Sequence, residues 1–187
     1  GRNDTDRARV PWKRDLLASA LARLVTRVVA VNEAISVDVC RRWHLDSGHV
    51  VCIPNGVDLL RFRPPTEVRT AAEDILVGTV ARFDGIKNLS CLVSAFTRLC
   101  EVEPRLRARL VLVGDGPLST DLRDQAARSV AADRIEFVGE TKSPQDWYRR
   151  FDVFANTSFS EGMSNSILEA MACGVPVVAS DIPGNRC

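Results

Sequence analysis

The sequence predicts an α/β protein, a parallel sheet with helices on both faces, and three observations carry that prediction. From residue 75 to residue 179, short apolar runs alternate regularly with segments of helical period. Those runs are continuously apolar, as strands covered on both faces are, and do not alternate polar with apolar side chains. The 187 residues are 45% hydrophobic and 26% charged, which suits an ordinary globular chain of about one domain and excludes a disordered or collagen-like one.

Each element follows in order. Residues 16–27 repeat apolar side chains at helical spacing, and 28–31 read as a short buried strand. Asn32 is a helix N-cap for a segment running to Trp43, and residues 50–53 form a second strand ending at the turn signal Pro54-Asn55-Gly56. Residues 58–70, with Pro64 and Pro65, read as a connection, so the chain divides into 1–53, 54–70 and 71–187. Beyond it, strands are predicted at 75–80, 110–113, 135–138, 153–155 and 175–179, with helices near 89–102, 118–131, 144–150 and 164–173.

Charge and side-chain chemistry narrow the function. The net charge of +1 offers no field for nucleic acid or an anionic surface, although residues 1–63 are net basic and the remainder net acidic. Arg23 and Arg27 interrupt the one long aliphatic stretch, so no spanning helix is expected. Residues 1–9 are polar rather than a basic-then-apolar leader, and the start reads as a fragment boundary. The six cysteines show no Cys-x-x-Cys spacing and no His-rich companion, so no zinc site is expected and the thiols suit a reducing, cytoplasmic protein. His44 and His49 lie in a short connection, where surface or satisfied roles outweigh catalysis. Asp4-Thr5-Asp6 sits in a polar terminus with no strand before it and reads as coincidence rather than a metal site.

In open α/β sheets, ligands gather outside the carboxyl ends of the strands. Gly114-x-Gly116 follows a strand, but the third glycine of a dinucleotide loop would fall at Ser119; a tight strand-to-helix turn accounts for it equally well. A nicotinamide-binding domain is therefore the weakest of three readings. No P-loop pattern occurs. Arg82 and Lys87 flank a glycine-containing loop and could together neutralise a diphosphate, though loop cations are more often simply solvated. The strongest constellation runs from Ser160 to Ser180. There Glu161 and Glu169 bracket a helix start, Gly162 permits close backbone approach, and first-turn N–H groups at Met163, Ser164 and Asn165 are expected to form an anion seat. Glu169 lies ~7.5 Å of helical rise beyond Ser164, so the two acids suit different parts of one elongated ligand better than a glycosidase acid pair.

Five motifs in order then show a resemblance: Pro-Asn-Gly-Val-Asp at 54–58, Arg-x4-Lys at 82–87, Val-Gly-Asp-Gly-Pro at 113–117, Phe-Val-Gly at 137–139, and Glu-x7-Glu followed by Leu-Glu-Ala-Met-Ala-x-Gly-Val-Pro-Val-Val-Ala. Over about residues 50–187 the chain resembles the retaining glycosyltransferases of family 4, or group 1, with the GT-B fold of two facing Rossmann-like domains. The resemblance implies transfer of a glycosyl group from a nucleotide-diphosphate sugar to a saccharide or lipid-linked acceptor, with retention and without metal or cofactor. It implies that Arg82 and Lys87 stabilise the leaving diphosphate, that Glu161 binds donor-sugar hydroxyls, and that backbone at Gly162, Met163 and Ser164 contacts phosphate and sugar. Glu169 would accept from the ribose, and Thr141 would touch the base through its backbone. Glu161, Arg82 and Lys87 are the candidate catalytic residues.

By the same resemblance, residues 1–53 are the end of an acceptor-side domain, 54–70 the interdomain connection, and 71–187 a donor-binding domain cut short before its last strand and closing helix. A fragment of this kind is expected to bind donor weakly and transfer nothing alone, with any contact at the inner membrane face made through the absent part. A non-catalytic nucleotide-sugar binding module is the alternative. Lys142 and Ser143 after Thr141 offer no acid for a guanine edge, a lean away from GDP-sugars.

Overall fold

Residues 12–66 and 74–186 are described by the structure, a computed structural model. Asp4-Thr5-Asp6, the end of the predicted connection at 67–70 and Cys187 lie outside the described residues. The chain forms two compact units, one up to Asn55 and the other Gly56–Arg186.

The first unit holds α1 (Trp12–Ala22), β1 (Val28–Ala30), α2 (Glu33–Trp43) and β2 (Val50–Cys52). The two strands pair in parallel, with Val29 opposite Val51. Asn32 caps α2 as expected, its Oδ1 accepting from the Ile35 N–H at 2.7 Å. Left-handed His44 ends the helix at φ 52°, its N–H donating to the Cys40 carbonyl. Both carboxylate oxygens of Asp15 on α1 lie 2.8 Å from Arg42 Nη2 on α2. His49 Nε2 sits 2.8 Å from the Ala22 carbonyl, a satisfied structural role. The first helix stops at Ala22, short of the predicted 27, because a turn bonding Leu24 N–H to the Leu21 carbonyl redirects the chain toward β1.

The second unit is a five-stranded parallel sheet. Its strands are β3 (Ile75–Val80), β4 (Ala108–Val113), β5 (Ile135–Gly139), β6 (Val153–Asn156) and β7 (Val177–Ala179), in the order β5-β4-β3-β6-β7. Helices α3 (Leu89–Val102), α4 (Ser119–Ala127), α5 (Pro144–Tyr148) and α6 (Asn165–Ala172) connect them. Successive side chains of a strand point to opposite faces, and in β4 Leu110 and Leu112 enter one core while Val111 and Val113 enter the other, all fully buried. The first core is closed by Leu92, Val93 and Phe96 of α3 with Leu122 of α4. The second gathers Tyr148, Phe151, Phe154, Ala170 and Cys173. This is the parallel α/β architecture that the strand pattern predicts.

Three local differences have physical causes. Helix α4 ends at Ala127 rather than 131, because Ser129 turns its hydroxyl onto the Ala126 carbonyl (2.8 Å) and competes with the helical ladder. Strand β7 starts at Val177 rather than 175, since Val175 N–H bonds the Ala170 carbonyl and Gly174 N–H the Met171 carbonyl, closing α6 in a Schellman turn. Residues 58–65 are more than a tether: Phe62 is buried and meets Tyr148 edge-on at 5.9 Å between ring centroids. Arg61 donates to Gln145 Oε1 and the Lys142 carbonyl, both at 3.0 Å, while Arg149 donates back to the carbonyls of Arg61 (2.7 Å) and Arg63 (3.2 Å). This strap is clasped to the β5–α5 loop and α5. Among the described residues, five cysteines are free thiols, with Cys173 buried as a small hydrophobe. No helix among those residues is long and apolar enough to cross a membrane.

Candidate functional site

Parallel connectivity sends the loops after β3, β4, β5 and β6 to one edge of the sheet. Backbone hydrogen bonds stitch the first three loops together. Ala81 N–H reaches the Val113 carbonyl (3.0 Å), Phe83 N–H the Asp115 carbonyl (2.9 Å), and Gly114 N–H the Gly139 carbonyl (2.8 Å). Gly114 makes this possible: at φ +131° it holds a conformation L side chains avoid, and a Cβ there would overlap the Ala81 carbonyl oxygen. Above this floor opens a cleft of about 610 Å³, whose walls include Arg82, Asp115, Glu140 and Thr141. Ser119, where a dinucleotide loop has glycine, ties the turn onto itself by bonding Asp115 and the Gly116 carbonyl (2.8 Å). The bond from Ser119, then that from Gly116 N–H, holds the Asp115 carboxyl below its ordinary value. Thr141 Oγ1 accepts from Ser143 N–H at 3.1 Å and shapes the turn into α5.

The loops after β3 and β6 meet at an ion pair. Asp84 Oδ1 accepts from the N–H groups of Ile86 (3.1 Å) and Lys87 (3.2 Å), a side-chain-closed turn that aims Lys87 across the sheet edge. Lys87 Nζ then lies 2.7 Å from Glu161 Oε1. Ser158 Oγ donates to the same oxygen at 2.7 Å and Asn156 Nδ2 approaches at 3.4 Å. With its side chain only 11% exposed, Glu161 is raised by burial, yet the bonds from Lys87 and Ser158 prevail and hold its pKa below the usual glutamate value. Thr157 Oγ1 reaches the Lys87 carbonyl at 3.1 Å, and Phe159 N–H the Ile86 carbonyl at 2.9 Å, so the two loops are fastened by backbone as well. On the far side Gly184 is pressed against the Glu161 backbone, where a Cβ would overlap the Glu161 carbonyl.

Helix α6 begins one residue after Ser164, whose hydroxyl faces Ser166 Oγ (3.0 Å) and Asn156 Nδ2 (3.3 Å) instead of capping the backbone. Gly162, Met163 and Asn165 each take part in an interaction of their own. Glu169, on the same helix, accepts at Oε2 from the Tyr148 hydroxyl at 2.8 Å. Burial raises its pKa, and the Tyr148 bond and the charge of Arg61 offset only part of that rise.

The structure therefore joins two residues that the sequence placed in separate roles, Lys87 and Glu161, and sets Arg82 apart from them. Arg82 lines the cleft with its side chain 71% exposed and Nε 3.9 Å from Asp84. Asn156, Ser158, Tyr148 and Arg61 are further polar members that no motif marks. Asn156 and Ser158 could have been found as the polar end of the apolar run in β6; Tyr148 and Arg61 left no such signal. Among the described residues no group of three or more His, Cys, Asp or Glu is placed to hold a metal ion.

Comparison with known proteins gives the family and the fold. Residues 74–187 match the family model described as glycosyl transferases group 1. EpsF of Bacillus subtilis (strain 168), named as a glycosyltransferase, is 30% identical over 182 residues, covering 91% of this chain and 47% of that protein. The lipopolysaccharide core biosynthesis mannosyltransferase LpsB of Rhizobium meliloti (strain 1021) is 35% identical over 150 residues, covering 74% of this chain and 42% of that protein. The chain thus spans about half the length of these curated relatives. Among solved structures, HepE of Anabaena in complex with UDP and glucose superposes with a TM-score of 0.79 at 22% identity, over 95% of this chain and 50% of that one. It establishes the shared fold.

Proposed function

This chain belongs to the group 1 glycosyltransferases, and we propose that it carries the donor site of an enzyme moving a glycosyl group from a nucleotide-diphosphate sugar to a saccharide or lipid-linked acceptor, with retention of anomeric configuration. The observation that carries this reading is the 2.7 Å pairing of Lys87 with Glu161 at the carboxyl edge of the sheet, beside a cleft walled by Arg82 and Thr141. The UDP in the HepE complex supports a nucleotide ligand at this kind of fold. In this reading 71–187 form the donor domain, 54–70 the connection, and 1–53 the end of an acceptor-side domain. The parent protein works in the cytoplasm, at the inner membrane face when its acceptor is lipid-linked.

Each side chain then has a task. Arg82, exposed on the cleft wall, and Lys87, paired with Glu161, receive the charge that develops on the departing diphosphate, which is electrostatic stabilisation without proton transfer. Lys87 has three donor positions, so it can hold Glu161 and still reach a phosphate oxygen. Glu161 stays ionised across the physiological range, and its second oxygen is the acceptor for sugar hydroxyls near the anomeric carbon. Backbone at Gly162, Met163 and Ser164 contacts phosphate and sugar, Glu169 accepts from the ribose, and the Thr141 backbone meets the base.

Calorimetry of UDP, GDP and ADP against the chain, with and without a chelator, tests this reading. The expected outcome is binding of one nucleoside diphosphate, UDP being the first to try, that survives chelation. No binding of any of the three would overturn it; loss on chelation would overturn the metal-independent part.

A further inference from the structure

Tyr148 stands in an environment that does not ask for a hydroxyl. Its ring is fully buried among phenylalanines, with Phe62 at 5.9 Å, Phe151 at 6.2 Å and Phe154 at 5.5 Å between centroids. A fourth phenylalanine would fill the same space without a buried polar atom to satisfy. The chain nevertheless places there its one tyrosine, and the hydroxyl donates to Glu169 Oε2 at 2.8 Å. Among the described residues, Oε1 of the same carboxylate accepts no hydrogen bond.

We propose that Tyr148 is a positioning residue, anchoring one oxygen of Glu169 so that the other is presented to a ribose hydroxyl of the bound nucleotide. The inference rests on the donor-site reading above and adds to it a residue that never touches the ligand. Glu169 is half-buried on α6, and without an anchor its side chain would sample several rotamers, each carrying an entropic cost on binding. A rigid phenol held by three aromatic neighbours removes that freedom before the ligand arrives.

The bond also governs charge. Burial, then the neighbouring Glu169 charge, pushes the Tyr148 phenol well above its ordinary value, so it acts as donor throughout the working range. Glu169 is itself raised by burial, and the Tyr148 bond is the larger of the two influences pulling it back, the other being Arg61 on the strap. Cys173, the residue that caps the C-terminus of α6, is a further titratable neighbour, a buried thiol raised chiefly by desolvation. Removing the phenol hydroxyl therefore lets Glu169 take up a proton at higher pH, and a protonated acid is a poorer acceptor for a ribose hydroxyl.

The test compares the parent chain with Tyr148→Phe and Glu169→Gln, titrating UDP and its 2′,3′-dideoxy analogue across pH 5.5–8.5. For Tyr148→Phe we expect UDP to bind about three- to tenfold more weakly, the scale of one hydrogen bond. Its affinity should begin to fall at higher pH than in the parent, and the dideoxy analogue should bind unchanged. If Tyr148→Phe keeps the parent affinity and pH profile while Glu169→Gln weakens UDP, the donor-site reading stands and this inference is overturned. If the parent binds no UDP, GDP or ADP, the donor-site reading falls and takes the inference with it. The single tyrosine supplies a second measurement that does not depend on the phenylalanine variant folding. With tyrosine labelled at the ring carbon bearing oxygen, the parent should show one resonance that moves with the Glu169 titration and again with UDP, and both movements should vanish in Glu169→Gln. A resonance in a UDP-binding parent that ignores the nucleotide would overturn the proposal.

Discussion

Glu161 and Glu169 are the same residue type eight positions apart, yet the fold gives them opposite surroundings. Glu161 is gripped by an ammonium and a hydroxyl, and its pKa is held low; Glu169 is gripped by one phenol against an aromatic core, and its pKa is held high. The difference lies in what crosses the sheet edge to meet each of them. The loop after β3 brings a cation to the first acid, while α5 and the strap bring aromatic rings to the second. In the proposed donor site, one end would thus hold fixed charge beside the reacting centre, and the other would recognise neutral hydroxyls.

The largest expected effect removes the support of one end alone. Phe62→Ala should cost about 3–5 kcal/mol, as emptying a buried aromatic site does, measured by urea unfolding. Because it loosens Tyr148, it should also weaken UDP binding. An unchanged unfolding midpoint would mean that the strap does not hold the Glu169 end.

Next in size is Glu161→Gln, which leaves Lys87 partly buried beside a neutral amide and should cost about 1.5–3 kcal/mol at pH 7. The pH dependence has a definite sign. A carboxyl with a depressed pKa contributes stability above its unfolded value, near 4.5, that is lost as pH falls through the lower folded value, so parent and variant should converge in acid. Glu169→Gln should behave oppositely. A raised folded pKa means that ionisation is resisted and stability declines as pH rises through it, so this variant should be neutral or slightly stabilised at pH 7. Two variants with parallel stability profiles would erase the contrast between the acids.

A third change separates charge from recognition. Lys87→Ala should weaken a nucleoside diphosphate by about 2 kcal/mol, the scale of a charged hydrogen bond, and leave the free nucleoside almost unaffected, which calorimetry can read directly. Equal losses for both ligands would place Lys87 outside the phosphate site. The smallest effect is expected at Arg82, whose exposed side chain should contribute under about 1 kcal/mol and fade as salt is added. A salt-independent loss would show that the nucleotide buries it.

Much of this architecture was legible because the signals were local. The strands from β3 to β6 can be read to within a residue or two since each is a short apolar run bounded by turn residues, and Asn32 announces α2 by its capping chemistry. The helix ends at Ala22 and Ala127 cannot, because a turn and a serine hydroxyl interrupt patterns whose apolar spacing continues. Residues 58–65 read as a tether because two prolines and several charges outvote a single Phe62, and burial of one side chain leaves no periodic trace. Within the site, residue types were legible and pairings were not. Nothing local tells Lys87 that its partner is Glu161, and α5 is too short to betray the orientation of Tyr148.

The contact between Lys87 and Glu161 also closes a loop of 74 residues in sequence. It can form only after β6 has docked beside β3, a pairing that skips over β4 and β5. Closing so long a loop is entropically slow, and contacts of this separation are made late in the folding of parallel sheets. The ion pair should therefore be absent from the folding transition state. In stopped-flow measurements Glu161→Gln should leave the refolding rate nearly unchanged and spend its whole destabilisation on faster unfolding. The residue pair to which the donor-site proposal assigns the chemistry would then act as a latch, setting how long the finished sheet stays closed and contributing nothing to how quickly it assembles.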